Sequence, residues 1–123
     1  MPNPVRMKKV ILVSGDLMFI SKVKEVARAS GGEVVVARSD AALDKARSEC
    51  LEPSALLIDL EKSGVSLESL ATRVAALSQE GWRVVSFFSH VHEELAHKAI
   101  ELGLGEVVPR SKFVKLLPEV FVG

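Results

Sequence analysis

The fold is decided by one stretch of sequence, Ser54-Ala55-Leu56-Leu57-Ile58-Asp59-Leu60. The run is apolar between its two ends and too short for a typical globular helix, which indicates a strand buried on both faces of a parallel sheet. Such a strand places Asp59 at the carboxyl edge of the sheet, where open α/β sheets bind their ligands. The central functional question is whether Asp59 takes part in a chemical reaction at that edge.

The composition predicts one globular domain and excludes several classes of partner. A chain of 123 residues has room for one core, and its 48% hydrophobic residues are enough to fill that core. Sixteen basic residues balance sixteen acidic ones, so no net charge attracts nucleic acid or an anionic membrane. No apolar run reaches the roughly 18 residues that span a bilayer, and residues 1–6 lack the long apolar segment typical of a signal peptide. With Cys50 as the single cysteine, we expect a cytoplasmic protein.

Strand and helix patterns alternate along the chain. The predicted strands are 10–13, 33–37, 54–60, 83–88 and 107–108. The predicted helices are 17–30, a second capped by Ser39 or Asp40, a third capped by Ser66, 91–102, and a last one after Pro109-Arg110-Ser111. We expect the fourth helix to bury Leu95, Ala99 and Leu102, and Pro118 to kink or shorten the last helix unless it starts a fresh turn.

This alternation predicts an α/β fold with three layers, helix, sheet and helix. Right-handed crossovers between successive strands produce a parallel sheet that is covered on both faces. At this length the natural arrangement is the flavodoxin-like five-stranded sheet with strand order 2-1-3-4-5. Residues 1–7 contain two prolines and are predicted to form a flexible N-terminal arm, which leaves 8–123 as a single domain.

Four stretches of the chain are similar to a known family. They are Val10–Val13 as the first strand, Leu56–Leu60 as the third, Ser89 near the end of the fourth, and Ala99–Val108 as the fourth helix and fifth strand. From about Lys8 to Phe121, the chain resembles the receiver domain of bacterial response regulators. The resemblance implies that Asp59 occupies the phosphoacceptor position and that Ser89 occupies the position of a Ser or Thr. It also implies Mg²⁺, held by that Asp and an acidic pair after the first strand, and a Lys after the fifth strand.

The chain departs from the receiver pattern at two places. Where the acidic pair is expected it reads Ser14-Gly15-Asp16, so only Asp16 can join Asp59 in a weak Mg²⁺ site. Where Lys-Pro is expected it reads Arg110-Ser111. Arg110 keeps the positive charge, but its planar fork does not replace an ammonium group in kind.

Two interpretations of Asp59 stay open. In the first, Asp59 is phosphorylated, Asp16 is the remaining metal ligand, and Ser89 and Arg110 assist. In the second, which the missing carboxylate favours, Asp59 is a remnant of the fold that pairs with Arg110 and caps nearby backbone donors. His90, His92 and His97 could suggest a metal site beside Asp59, but a solvated helix start accounts for them better.

The preferred hypothesis is a stand-alone receiver-like domain that is not an enzyme and works as an interaction module in signalling. By resemblance, its partner surface is the fourth helix, fifth strand and fifth helix, used for a signalling protein or a homodimer. The first alternative is a phosphorelay receiver that uses Mg²⁺ to accept phosphate on Asp59. The second is a small flavodoxin-like protein that binds a phosphorylated ligand at the Ser14–Asp16 turn.

Overall fold

The computed structural model describes residues 8–89 and 91–122, so the arm predicted for residues 1–7 and the side chain of His90 lie outside the described residues. Every predicted strand and helix is present. The elements are β1 (Lys8–Val13), α1 (Leu17–Ala29), β2 (Gly32–Val36), α2 (Asp40–Ser48), β3 (Ala55–Asp59), α3 (Leu67–Gln79), β4 (Arg83–Phe88), α4 (Glu93–Glu101), β5 (Glu106–Pro109) and α5 (Arg110–Phe121). Ser39 rather than Asp40 caps α2, because its hydroxyl accepts the N–H of Ala42 at 3.1 Å.

The five strands form one parallel sheet with the order β2-β1-β3-β4-β5, which confirms the predicted fold. β3 lies at the centre, and each of its five residues is buried. Alternate side chains of β3 enter two separate cores. Leu56 and Ile58 pack under α2, α3 and α4, while Ala55 and Leu57 pack under α1 and α5. The sheet therefore has helices on both faces, and the carboxyl ends of its central strands meet at one edge.

Two predictions about the helices were wrong in detail. α4 buries Ala96 and Ala99, while Leu95 and Leu102 are only half-buried, because the helix turns its two small residues towards β4 and β5. α5 is not shortened at Pro118 and continues to Phe121. Because Pro118 has no N–H, the helix continues without the hydrogen bond that this residue would otherwise donate to the carbonyl of Val114. None of the described helices is long and apolar enough to cross a membrane.

Gly105 directly precedes β5, at a point where the backbone passes very close to the backbone of β4. Its φ is +77°, and a Cβ at this position would lie 2.2 Å from the carbonyl oxygen of Val84. Gly103, two residues earlier, has a φ of +72°, but a Cβ there would have no neighbour within 4 Å. The two glycines therefore share the same backbone strain and differ in steric room.

We expect Gly105→Ala to lower the free energy of unfolding by about 3 kcal/mol or more, through the combined cost of a left-handed alanine and an overpacked contact. Gly103→Ala is the matched control and should cost only about 1–2 kcal/mol, because it introduces the left-handed alanine alone. Urea denaturation followed by circular dichroism measures both. Equal losses of unfolding free energy in the two variants would show that the backbone at residue 105 can move away from Val84 at little cost.

Candidate functional site

The candidate site lies at the carboxyl edge of the sheet, where β1 and β3 end side by side. Asp59 is the last residue of β3 and has no exposed surface, and neither has Ser14, which directly follows β1. β1 and β3 are hydrogen-bonded neighbours, with Val13 in register with Ile58. This pairing brings the residues after β1 against the end of β3, as the sequence pattern predicted.

Both oxygens of the Asp59 carboxylate accept hydrogen bonds from the chain itself. Oδ2 accepts the hydroxyl of Ser14 at 2.8 Å. Oδ1 accepts the backbone N–H groups of Glu61 at 3.1 Å and of Lys62 at 3.2 Å. A buried carboxylate that lacked such partners would be strongly unfavourable, so these three bonds are what permits Asp59 to lie in the interior. They also anchor the start of the loop between β3 and α3.

Arg110, the first residue of α5, places its guanidinium between two carboxylates. Nη2 lies 3.9 Å from Oδ2 of Asp59, and Nη1 lies 3.7 Å from Oδ2 of Asp16. These separations suit ion pairs rather than direct hydrogen bonds. The guanidinium carbon lies 4.6 Å from the centre of the Phe19 ring, a cation–π contact that holds the side chain across the site. A single cation therefore lies beside two acidic groups.

Asp16 reaches the edge of the site, but half of its carboxylate has another role. Its Oδ1 accepts the N–H of Phe19 at 3.2 Å and so caps α1. Its Oδ2 faces Arg110 and lies 3.8 Å from Nζ of Lys62. Asp16 therefore lies at the edge of the site, and its Oδ2 faces two cationic side chains of the protein itself.

The donor set does not favour a resident Mg²⁺. This ion is usually held by one or two carboxylates and several waters, and the two carboxylates here already have partners, since Oδ1 of Asp59 and Oδ1 of Asp16 both accept backbone N–H groups. Ser14 stands where the resemblance expects an acid, and its hydroxyl donates to Asp59 while accepting the N–H of Asp16 at 3.1 Å. The guanidinium of Arg110 lies beside both carboxylates and would repel a second cation placed there.

Ser89 directly follows β4. Its backbone N–H, and not its hydroxyl, makes its contact nearest the site. The N–H of Ser89 donates to Oε1 of Glu61 at 2.6 Å. The other oxygen of Glu61 lies 3.3 Å from Nε2 of His92. Within residues 8–89 and 91–122, no hydrogen bond joins the Ser89 hydroxyl to Asp59, so the assisting role predicted for that hydroxyl stays a prediction.

The sequence patterns did not single out Glu61. Its only signal was an acidic residue two positions after a buried aspartate. Of the three histidines, for which a solvated helix start was the preferred interpretation, two lie in the described part of the chain. His92 pairs with Glu61, His97 is exposed on α4, and His90 lies outside the described residues.

The Ser14–Asp16 turn offers little to an anionic ligand. The N–H of Gly15 donates to the carbonyl of Lys62 at 2.7 Å, and the N–H of Asp16 donates to the hydroxyl of Ser14. An anion-binding turn needs backbone N–H groups that point towards the ligand. Both of these donors are used within the protein, which counts against the phosphorylated-ligand alternative.

No family model matches the chain, and no curated protein matches it significantly. Solved structures do match. The chain is 18% identical to the beryllofluoride-activated NtrC4 receiver domain dimer, with a TM-score of 0.70, covering 94% of this chain and 97% of that one. It is 19% identical to the phosphorylated cyanobacterial phytochrome response regulator RcpA, with a TM-score of 0.71 and coverage of 94% and 91%. For full-length FixJ from B. japonicum the identity is 15%, the TM-score 0.69 and the coverage 92% of this chain.

At these identities the likeness shows the fold. The chain has the flavodoxin-like fold of response regulator receiver domains, with five parallel strands in the order β2-β1-β3-β4-β5. It spans 57% of the length of full-length FixJ. The resemblance noted in the sequence is therefore confirmed at the level of the fold, and the chemistry of the site must be argued from its own residues.

We expect Asp59→Asn to lower the free energy of unfolding by about 1–3 kcal/mol, because the new amide would direct N–H groups at the Ser14 hydroxyl and the Arg110 guanidinium. Asp44→Asn is a suitable control. Asp44 pairs with Arg73 at the surface, and that pairing lowers the pKa of its carboxyl, but an exposed pair contributes little to stability. Chemical denaturation compares the two variants. A more stable Asp59→Asn protein would indicate that the carboxylates repel each other, as they would in a site built for a metal ion.

Proposed function

We propose that this protein is a receiver-like interaction module of a cytoplasmic signalling system, not an enzyme, and that its phosphorylation pocket is degenerate. The observation that carries the proposal is the state of Asp59, which is fully buried and has both carboxylate oxygens hydrogen-bonded to the chain. The scaffold matches that of receivers, while the groups around Asp59 supply internal partners where a receiver would need a metal site.

The charge balance of the site supports this proposal. Phosphoryl transfer to a carboxylate brings anionic groups together, so a receiver must neutralise the charge that develops. In this chain Arg110 is already shared between Asp16 and Asp59. An incoming phosphoryl group would have to displace the Ser14 hydroxyl and compete with Asp16 for the same guanidinium. Asp59 thus acts as a structural acceptor in this proposal, and the pocket does not respond to phosphate.

The partner surface in this proposal is formed by α4, β5 and α5. β5 is the edge strand of the sheet, with α4 and α5 on its two faces. α4 exposes acidic residues, among them Glu94 and Glu101, beside Ile100, whose surface is 61% exposed. α5 exposes Lys112 and Lys115. A surface with acidic, apolar and basic zones suits a signalling protein of complementary charge or a second copy of the chain.

One observation favours the phosphorelay alternative. Asp16 and Asp59 approach the same guanidinium, so a modest movement of Arg110 would leave two carboxylates facing a common space. In that alternative Asp59 accepts phosphate, with Asp16 as the second acidic group and Ser89 near the end of β4. RcpA, with the same fold, is described as phosphorylated.

Phosphorylation separates the two hypotheses. The protein is incubated with Mg²⁺ and acetyl phosphate, and intact mass spectrometry compares wild type with Asp59→Asn. We expect no phosphoryl adduct in either protein, because Asp59 is already bound on both oxygens and no metal site completes the pocket. RcpA under the same conditions is the positive control. A labile adduct on the wild type that is absent from Asp59→Asn would overturn the degenerate-pocket proposal.

Charge reversal on α4 tests the partner surface. We expect the double variant Glu94→Lys, Glu101→Lys to lose the partner that wild type retains in affinity capture from its own cells, because like charges then face each other across the interface. The control, Glu25→Lys, reverses an exposed charge on α1, on the opposite face of the sheet. Sedimentation velocity tests the same variants for self-association. Capture that survives the α4 change and fails with Glu25→Lys would place the interface on α1.

A further inference from the structure

We infer that Glu61 is a positioning residue that fixes the start of α4 from the pocket side, independently of any chemistry at Asp59. Its carboxylate joins the loop after β3 to the loop after β4 through two contacts, the backbone N–H of Ser89 at 2.6 Å and the His92 imidazole at 3.3 Å. These loops follow neighbouring strands of the sheet. Glu61 lies two residues after the end of β3, and His92 directly precedes α4. The significance of a fixed α4 rests on the proposed function, but the positioning itself does not.

Glu61 is itself held firmly. Its backbone N–H donates to Oδ1 of Asp59, so its main chain is tied to the buried carboxylate. The side chain of Glu61 is 20% exposed, which places most of it inside the protein. The hydrogen bond from Ser89 is charge-assisted, and such bonds are about twice as strong as neutral ones. A continuous set of contacts therefore runs from Asp59 through Glu61 to the residues that begin α4.

Besides Glu61, a backbone hydrogen bond from the N–H of His92 to the carbonyl of Ser89 at 3.0 Å holds the beginning of α4, and the side-chain contacts there are few. His92 is its N-cap residue and makes no side-chain cap hydrogen bond. The preceding residue, Val91, is 83% exposed. The buried residues of the helix are small: Ala96 is the fourth residue of α4, and Ala99 lies about one turn beyond it. Since the first turn contributes only half-buried Leu95 and Ala96 to the core, we expect a side-chain anion that binds the preceding backbone to stabilise the start of the helix.

In this arrangement the surface of α4 keeps one position without an activating signal. A helix whose start is fastened by a permanent carboxylate needs no added anion to adopt its position. Glu94, on the first turn of α4, is part of the proposed partner surface, so Glu61 would set the geometry that a partner meets. The chain thereby links a buried, unreactive Asp59 with a surface that stays in one arrangement.

Amide hydrogen exchange of the isolated protein tests this inference. We expect Glu61→Ala to speed exchange of the Ser89 amide by at least about tenfold, with faster exchange through the first turn of α4, because a charged hydrogen-bond acceptor is lost. Glu61→Gln should give an intermediate increase, since its amide oxygen can still accept from Ser89 but carries no charge for His92. Amides of β3 and β4 report whether each variant keeps the fold.

Glu93→Ala is the matched control. Glu93 is an exposed acid in the same first turn of α4, so its loss removes a favourable interaction with the helix N-terminus without touching the loop. Unchanged Ser89 exchange in both Glu61 variants, or an equal effect of Glu93→Ala, would overturn the inference. The measurement needs no partner, so the positioning role can fail while the α4 interface stands. It can also hold if charge reversal on α4 leaves partner capture intact.

Discussion

A carboxylate with no exposed surface needs hydrogen bonds or a counter-charge, and the local structure of this protein follows from how Asp59 meets that requirement. Its partners come from three separate parts of the chain. Ser14 follows β1, the N–H groups of Glu61 and Lys62 belong to the loop after β3, and Arg110 begins α5. The loss of any one of these partners would leave part of the charge uncompensated in a medium of low polarity. The carboxyl edge of the sheet is therefore organised around one anion.

This organisation depends on Ser14, which stands where the receiver pattern has an acid. A second carboxylate at this position would repel Asp59 unless a cation lay between them. A hydroxyl instead donates to Asp59 and accepts from the Asp16 backbone, so it satisfies two neighbours with no metal. Arg110 then supplies one positive charge for two acids, and its contact with the Phe19 ring limits the positions that it can take. The buried aspartate is thus surrounded by hydrogen-bond donors and a cation that belong to the chain itself.

The fold could be predicted from the sequence because it depends on regular patterns. The apolar run of β3, the alternation of strands and helices, and the Ser39 and Ser66 caps are local signals, and each appears in the structure. The rule that parallel strands end at a common edge placed Asp59 at that edge, but it left open whether Asp16 reaches the pocket, because this depends on the exact turn after β1. The role of Glu61 could not be predicted, since its contacts cross between two loops of different strands. The burial of Ala96 instead of Leu95 likewise depends on how α4 rotates against β4 and β5, which periodicity alone does not determine.

Fold and chemistry separate in this chain because they depend on different residues. The likeness to receiver domains rests on the backbone path and on two apolar cores, which many sequences can form, as identities of 15% to 19% show. The chemistry of a receiver would depend on the few side chains around Asp59, and these are the positions where the chain departs from the pattern. Glu61 extends the same principle beyond the pocket. Its carboxylate joins the loop after β3 to the residues before α4, so in our proposal an acid fixed in the chain sets the position at which the α4 surface begins.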